Sequence, residues 1–274
     1  MDATALPEPN DGPPDWLRRA VRPELVGLVD DIVFYRETGL PMVGRVETAS
    51  LVVPLVISFG APFSIALGRA PHGGDRIASF AAGLFAGPVV MDSPGTAECV
   101  QVNFTPPGAA RFFGVPMSEL ADAMVTLDDL GDRGLRELSR RLADEPNPAR
   151  RLDLVEAFVL GRLRAGTPAD PAIAWAYRRI VESGGRVRIA GLAAELDFSR
   201  KHLAARFRRE IGLPPKTVAR MARFQGALAW STRVKTPDWA EIAVACGYAD
   251  QAHLTREFTE MAGASPAAWH RRAA

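Results

Sequence analysis

The sequence predicts an α+β chain in two parts: a small β-barrel with flanking helices, then an all-α domain of two helix-turn-helix units joined by a linker helix. Three observations carry this. The chain has 274 residues, 47% hydrophobic and 24% charged, which suits one large or two modest globular domains and excludes whole-chain disorder. Near residue 105 the apolar pattern changes from short β-branched runs to helical periodicity. The charge divides as well. Residues 1–169 hold 16 Lys+Arg against 22 Asp+Glu, a net −6, whereas residues 170–274 hold 17 against 10, a net +7. A basic half joined to an acidic one suits nucleic-acid binding, because neutralising phosphate needs cations.

Residues 1–22 carry Pro7, Pro9, Pro13 and Pro14 and predict a loose arm. Their acidic, Pro-rich start lacks the basic and then apolar pattern of a signal peptide, and no apolar run reaches the ~18 residues of a membrane span. The expected location is cytoplasmic, with no membrane partner. Strands are expected at residues 51–57, 63–67, 85–90 and 100–104, punctuated by Gly60-Ala61-Pro62, His72-Gly73-Gly74-Asp75 and Ser93-Pro94-Gly95. Helical stretches follow near residues 109–113, 118–123, 134–142 and 151–163. In the last, Leu152, Leu154, Val155, Phe158, Val159 and Leu163 cluster on a face. That face either packs on the barrel or pairs with a second copy of the chain. Residues 166–171 read as a linker, which divides the chain into a regulatory domain at 1–165 and a helical domain at 172–274.

The helical domain contains a weak duplication. In the first unit, residues 188–212, a short helix with Ile189, Leu192, Ala193 and Leu196 on one face leads through Asp197-Phe198 into a second helix. Ser199 is placed to cap it, accepting a free backbone N–H. Leu203, Phe207 and Ile211 face inward, which leaves Arg200, Lys201, Ala204, Ala205, Arg208 and Arg209 outward; Gly212 stops the helix. In the second unit, residues 237–263, Pro237 reads as the first helical residue. Trp239, Ile242, Ala243 and Cys246 face inward. After Gly247-Tyr248-Ala249, Asp250 caps a helix whose inner face is Leu254, Phe258 and Met261 and whose outer face is Gln251, Ala252, Thr255 and Arg256. Residues 217–230 form the joining helix. In this layout the second helix of each unit enters the major groove and its N-terminal residues meet base edges.

The residues Ile189-Ala190-x-Leu192-Ala193, Ser199-x-x-x-Leu203, Phe207 and Ile211-Gly212-Leu213-Pro214-Pro215 carry half of a family resemblance. Ala243-x-x-Cys246-Gly247-Tyr248-x-Asp250-Gln251-x-His253-Leu254-x-Arg256-x-Phe258 and Gly263-Ala264-Ser265-Pro266 carry the other half. Over about residues 174–274 the chain resembles the AraC/XylS family of bacterial transcription regulators. More loosely, its first half resembles the cupin-like β-barrel sensors that precede this module. The resemblance implies a DNA-binding regulator, an activator more often than a repressor, whose two recognition helices read neighbouring major grooves about 34 Å apart. The DNA-contacting set would be Ser199, Arg200, Lys201, Ala204, Ala205 and Arg208 in the first unit and Asp250, Gln251, Ala252, Thr255 and Arg256 in the second. Double-stranded DNA is the implied partner; RNA polymerase, a small-molecule effector and a second copy of the chain are further candidates. Ala204 and Ala205 depart from the family, where polar residues or arginine are common. Alanine only touches a thymine methyl or permits close approach, so the first helix is the weaker base reader.

The bland readings differ in strength. Arg256 has Glu257, Glu260 and Asp250 nearby in sequence as structural partners. Arg206, Arg208 and Arg209 suit a solvated face as well as a phosphate. Trp239 and Phe258 are core residues, and Cys246 reads as a buried small hydrophobe. Cys99 follows Glu98, with nothing cationic adjoining it to lower its pKa. For a small-molecule site the candidate wall is Phe34, Phe63, Phe85 and Phe104, with Trp16, Tyr35 and Phe80 beside them. Two cysteines and the dispersed His72, His202, His253 and His270 offer no metal set, and no nucleophile or phosphate-loop motif occurs, so neither a cofactor nor a catalytic residue is expected. The rival classes are a barrel enzyme with a DNA-targeting tail and a protein-interaction adaptor.

Overall fold

The computed structural model describes residues 15–273. The first half is built on antiparallel strands: β1 (Asp15–Arg19), β2 (Val29–Arg36), β3 (Met42–Glu47), β4 (Val53–Ser58), β5 (Phe63–Leu67), β6 (Arg76–Ile77), β7 (Phe80–Ala82), β8 (Val89–Ser93) and β9 (Glu98–Phe104), with β10 (Met124–Thr126) after α1 (Pro106–Phe113). Six of them form one sheet in the order β1-β2-β9-β4-β7-β10. The other four form a second sheet, β3-β8-β5-β6. Thr105 caps α1, its side chain accepting from Gly108 N. Residues 118–123, expected to be helical, contribute only a short 3-10 turn at Met117–Glu119.

Alternation along the strands assigns each side chain to one of two layers. On β2, β4 and β9, residues Ile32, Phe34, Leu55, Ile57, Val100, Val102 and Phe104 enter the main core. Their alternates Tyr35, Val56 and Cys99 turn the other way and meet Phe63, Ile65, Val89 and Met91 of the second sheet. Two helices, α2 (Arg133–Asp144) and α3 (Pro148–Ala165), complete the domain. Leu152, Val155, Val159 and Leu163 of α3 are buried in the main core, so the apolar face considered for self-pairing is spent inside the chain. A buried ion pair ties this layer together: Arg151 meets Glu98, and its guanidinium lies 4.4 Å over the Phe59 ring.

The N-terminal arm needs correction. Residues 15–19 form β1, an edge strand in register with β2 from Asp15 opposite Arg36 to Arg19 opposite Ile32. The Trp16 ring packs edge-on to Tyr35 at 5.5 Å. The local proline density hid a strand that gains its stability from a distant partner. The remainder of the expected arm, residues 1–14, lies outside the described residues.

The second half is helical throughout: α4 (Pro171–Glu182), α5 (Ile189–Glu195), α6 (Arg200–Ile211), α7 (Pro215–Ser231), α8 (Trp239–Ala245), α9 (Gln251–Ala262) and α10 (Pro266–Ala273). Two boundaries differ from expectation. The joining helix α7 starts at Pro215, proline at its first position costing no hydrogen bond. Pro237 precedes α8 instead of opening it, because Asp238 takes the cap and accepts from Ala240 N and Glu241 N.

Candidate nucleic-acid interface

Each helix-turn-helix unit is held by the same three devices: an apolar inner face, a left-handed turn residue and an acceptor cap. In the first unit Leu192 and Ala193 of α5 pack with Leu203, Phe207 and Ile211 of α6. Asp197 takes φ +54°, and Phe198 N closes the turn on Ala193 O at 2.8 Å. Ser199 then caps α6, its hydroxyl accepting from His202 N at 3.1 Å. In the second unit Gly247 takes φ +80°, and Tyr248 N closes on Ala243 O at 2.9 Å. Asp250 caps α9 through His253 N at 2.6 Å. Both recognition helices have 12 residues, about 18 Å at 1.5 Å per residue.

The outward faces differ in chemistry. On α6, Arg200, Lys201, Ala205 and Arg208 are exposed, Ser199 is exposed at the cap, and Ala204 is half-buried. On α9, Asp250, Gln251, Ala252 and Arg256 are exposed and Thr255 is half-buried. Arg206 is spent elsewhere: it pairs with Asp170 and stacks over Phe198 at 5.4 Å. Among the described residues, Arg200, Lys201, Arg208 and Arg256 form no ion pair. The acidic neighbours that sequence offered to Arg256 are taken from across the fold instead. Arg220 of α7 donates to Glu257 at 2.8 Å and to Glu260 at 2.5 Å.

Sequence reasoning missed the Glu257 cluster. Glu257 is buried in α9 and also receives Arg223 Nη2 at 3.4 Å, while His253 Nε2 lies 3.1 Å away. Burial pushes its carboxyl up, but hydrogen bonds from Arg220 and His253 and the nearby arginine charges outweigh burial and hold it below the ordinary carboxylate range. Arg223 also donates to Gly185 O at 3.1 Å, and Arg186 donates to Ala245 O at 3.1 Å. The loop before α5 is thereby fastened to α7 and to the second unit. The available signal was arginine at positions 220 and 223, a three-residue spacing among the apolar residues of α7.

Both units also touch the first half. The α6 helix packs on α1 and the Met117–Glu119 turn, and Glu210 accepts from Asp170 N at 2.8 Å. Ala49 N, in the loop after β3, donates to Met261 O of α9 at 2.9 Å.

That loop borders a cavity of about 150 Å³ between the two sheets. Phe63 and Phe85 line it, as do Tyr35 and Phe80. Phe34 and Phe104 do not. Each is 0% exposed on the opposite face of the sheet, because strand parity sends them toward the helices. Trp16 is likewise not among the lining residues. Cys99 reaches the cavity wall, but burial pushes its thiol up to about 12, helped by Glu37 and Glu98, so it stays protonated. Burial also raises Cys246.

A two-helix reading head with capped, cation-bearing helices, carried behind a β-domain, defines a DNA-binding transcription regulator. Residues 192–272 match the family described as "Helix-turn-helix domain", and this stretch is an AraC-type domain of that kind. No curated protein matches the chain. Among solved structures, the C-terminal domain of AraT, a response regulator from Geobacillus stearothermophilus, is 22% identical. It covers 39% of this chain and 88% of its own, with a TM-score of 0.36. ToxT from Vibrio cholerae is 10% identical and covers 87% of this chain and 98% of its own, with a TM-score of 0.47. Among the described residues no helix is long and apolar enough to cross a membrane.

Proposed function

We propose that the domain at 172–274 reads two neighbouring major grooves, α6 in one and α9 in the other, and that the domain at 1–165 controls this reading through a small effector. The observation that carries it is the pair of capped helices whose exposed cations have no counter-ion among the described residues. Such cations are available to phosphate and base edges. In the second helix Gln251, Thr255 and Arg256 supply hydrogen bonds to adenine or guanine edges, Asp250 and Ala252 sitting at the groove entrance. In the first, Arg200, Lys201 and Arg208 grip, and Ser199, Ala204 and Ala205 allow close approach. Control by an effector is favoured by one contact: the loop that borders the cavity holds the end of α9 through Ala49. A ligand that repositions this loop shifts the population of DNA-competent states. Contact with RNA polymerase is the downstream step that the family resemblance favours.

Selection of the full chain on a randomised DNA pool at fixed salt tests the reading. Two enriched half-elements about one helical turn apart are expected. A single enriched element assigns α6 to backbone grip alone. Binding without enrichment that vanishes as salt rises overturns the proposal, since it leaves only phosphate attraction.

A further inference from the structure

One cationic segment lies between the two helix-turn-helix units. Residues 183–188 join α4 to α5. Gly184 and Gly185 take φ +58° and +73°. A Cβ built on Gly185 would lie 2.0 Å from Ala219 O of α7, so glycine is what lets the loop cross the linker helix this closely. Arg223 of α7 donates to Gly185 O at 3.1 Å. Arg186 then reaches into the second unit. Its Nε donates to Ser183 O at 3.0 Å and its Nη1 to Ala245 O at 3.1 Å. Its stem lies against Gly247, where a Cβ would be 2.8 Å from Arg186 Cγ. Two residues further on, Arg188 immediately precedes α5 of the first unit. Both arginines are exposed, and neither has a carboxylate partner among the described residues.

Position gives these cations a target. Gly247 stands three residues before the cap Asp250, so Arg186 lies beside the end of α9 that meets base edges. Two recognition helices in neighbouring major grooves on one face of a duplex bracket the minor groove between them. A loop that leads into one unit and holds the turn of the other lies over that minor groove. The bonds to Ser183 O and Ala245 O orient the guanidinium without neutralising it, and Nη2 has no partner among the described residues. A narrow, A·T-rich minor groove concentrates negative potential and draws in arginine, whereas G·C pairs place the guanine N2 amino group there. We infer that the loop between α4 and α5 is a third DNA-reading element. Arg186 enters the minor groove of the spacer between the half-elements and Arg188 meets a flanking phosphate, so the chain prefers A·T pairs where neither recognition helix touches a base. This rests on the two-groove reading and adds the spacer to what it recognises.

The test titrates the full chain, at fixed salt, with duplexes that keep the two selected half-elements and carry spacers of A·T, G·C or inosine·cytosine pairs. Inosine lacks the N2 amino group, so its pairs join a G·C-like major groove to an A·T-like minor groove. The A·T and inosine spacers are expected to bind about five-fold more tightly than G·C. Arg186→Ala is expected to bring the three spacers within about two-fold of one another. A base substitution in the α9 half-element should cost that variant as much as it costs the parent chain, which separates loss of the contact from loosening of α9. Four results overturn the inference: equal binding of the parent chain to A·T and G·C spacers, inosine binding like G·C, a spacer preference that survives Arg186→Ala, or its loss together with half-element discrimination. If selection yields no paired half-elements, the two-groove reading falls and this inference with it. Paired half-elements with an indifferent spacer overturn this inference alone.

Discussion

The two helix-turn-helix units share a plan and differ in how they are anchored. The first is seated on the β-domain, where α6 lies on α1 and the Met117–Glu119 turn, while Arg206 and Glu210 hold Asp170, the cap of α4. The second is seated on the linker helix through the Arg220–Glu257–Arg223 cluster and touches the β-domain through the loop at Ala49. The contrast extends to the surface, where α6 offers cations and alanines while α9 offers Gln251, Thr255 and Arg256. A unit anchored by packing suits a fixed grip. A unit packed on α7 and touching the β-domain at the loop beside the cavity suits base reading that responds to a signal.

Breaking the second anchor has the largest expected effect. Glu257→Ala leaves two arginines facing a buried gap, and removing one partner of a buried ion pair costs about 3–5 kcal/mol. Chemical denaturation of the full chain should show that loss, and hydrogen exchange should place it in α9 rather than α6. An even loss across both helices would mean the units are not separately anchored. The same cluster sets a pH dependence. Because the folded carboxyl sits below its ordinary value, its contribution is complete above the unfolded pKa of about 4.3 and is lost as pH falls through the folded value. Acid titration should therefore loosen α9 before α6, and Glu257→Gln should remove that difference.

Next is the reading surface. Arg256→Ala should weaken specific DNA binding by about 1–3 kcal/mol and relax one base position. Arg208→Ala should weaken all sequences alike and lower the salt slope by about 1. Selection on base-substituted duplexes at two salt concentrations checks both. If Arg208→Ala changes base preference, α6 reads sequence despite Ala204 and Ala205.

Much of this contrast was legible in the sequence, and the reason is local. Ser199, Asp250, Gly212, Gly247 and Gly263 mark caps and stops by side-chain chemistry alone, and the spacing of Leu203, Phe207 and Ile211 fixes which face is inward. The β-domain was legible as strands but not as layers. Parity along β2 and β9 separates Tyr35 and Cys99 from Phe34 and Phe104, yet which parity faces the cavity depends on where α1 and α3 pack. The place of Arg45 in the cavity wall was invisible for a related reason. An arginine on an edge strand of the four-stranded sheet reads as solvated until the six-stranded sheet faces it across the cavity. The partners of Glu257 come from α7: the three-residue spacing of Arg220 and Arg223 is visible in the sequence, but the carboxylate they meet is not.

The smallest effect concerns the turns. Asp197 and Gly247 occupy equivalent left-handed positions, each one residue before the amide that closes the turn. Glycine adopts that conformation freely, whereas an aspartate strains to hold it. Asp197→Gly relieves the strain but lengthens the list of unfolded conformations, so the net gain should be modest, about 0.5–1 kcal/mol. The exchange is not symmetric. A Cβ built on Gly247 meets Arg186 Cγ at 2.8 Å, beside the guanidinium that reaches Ala245 O. Gly247→Ala should therefore lose at least as much as Asp197→Gly gains, and it should also disturb the tie between the second unit and the loop before α5. Thermal unfolding of both variants measures the signs. Destabilisation by Asp197→Gly would show that its carboxylate does something at the turn that glycine cannot replace, and would make the first unit's turn a functional surface rather than a strained copy of the second.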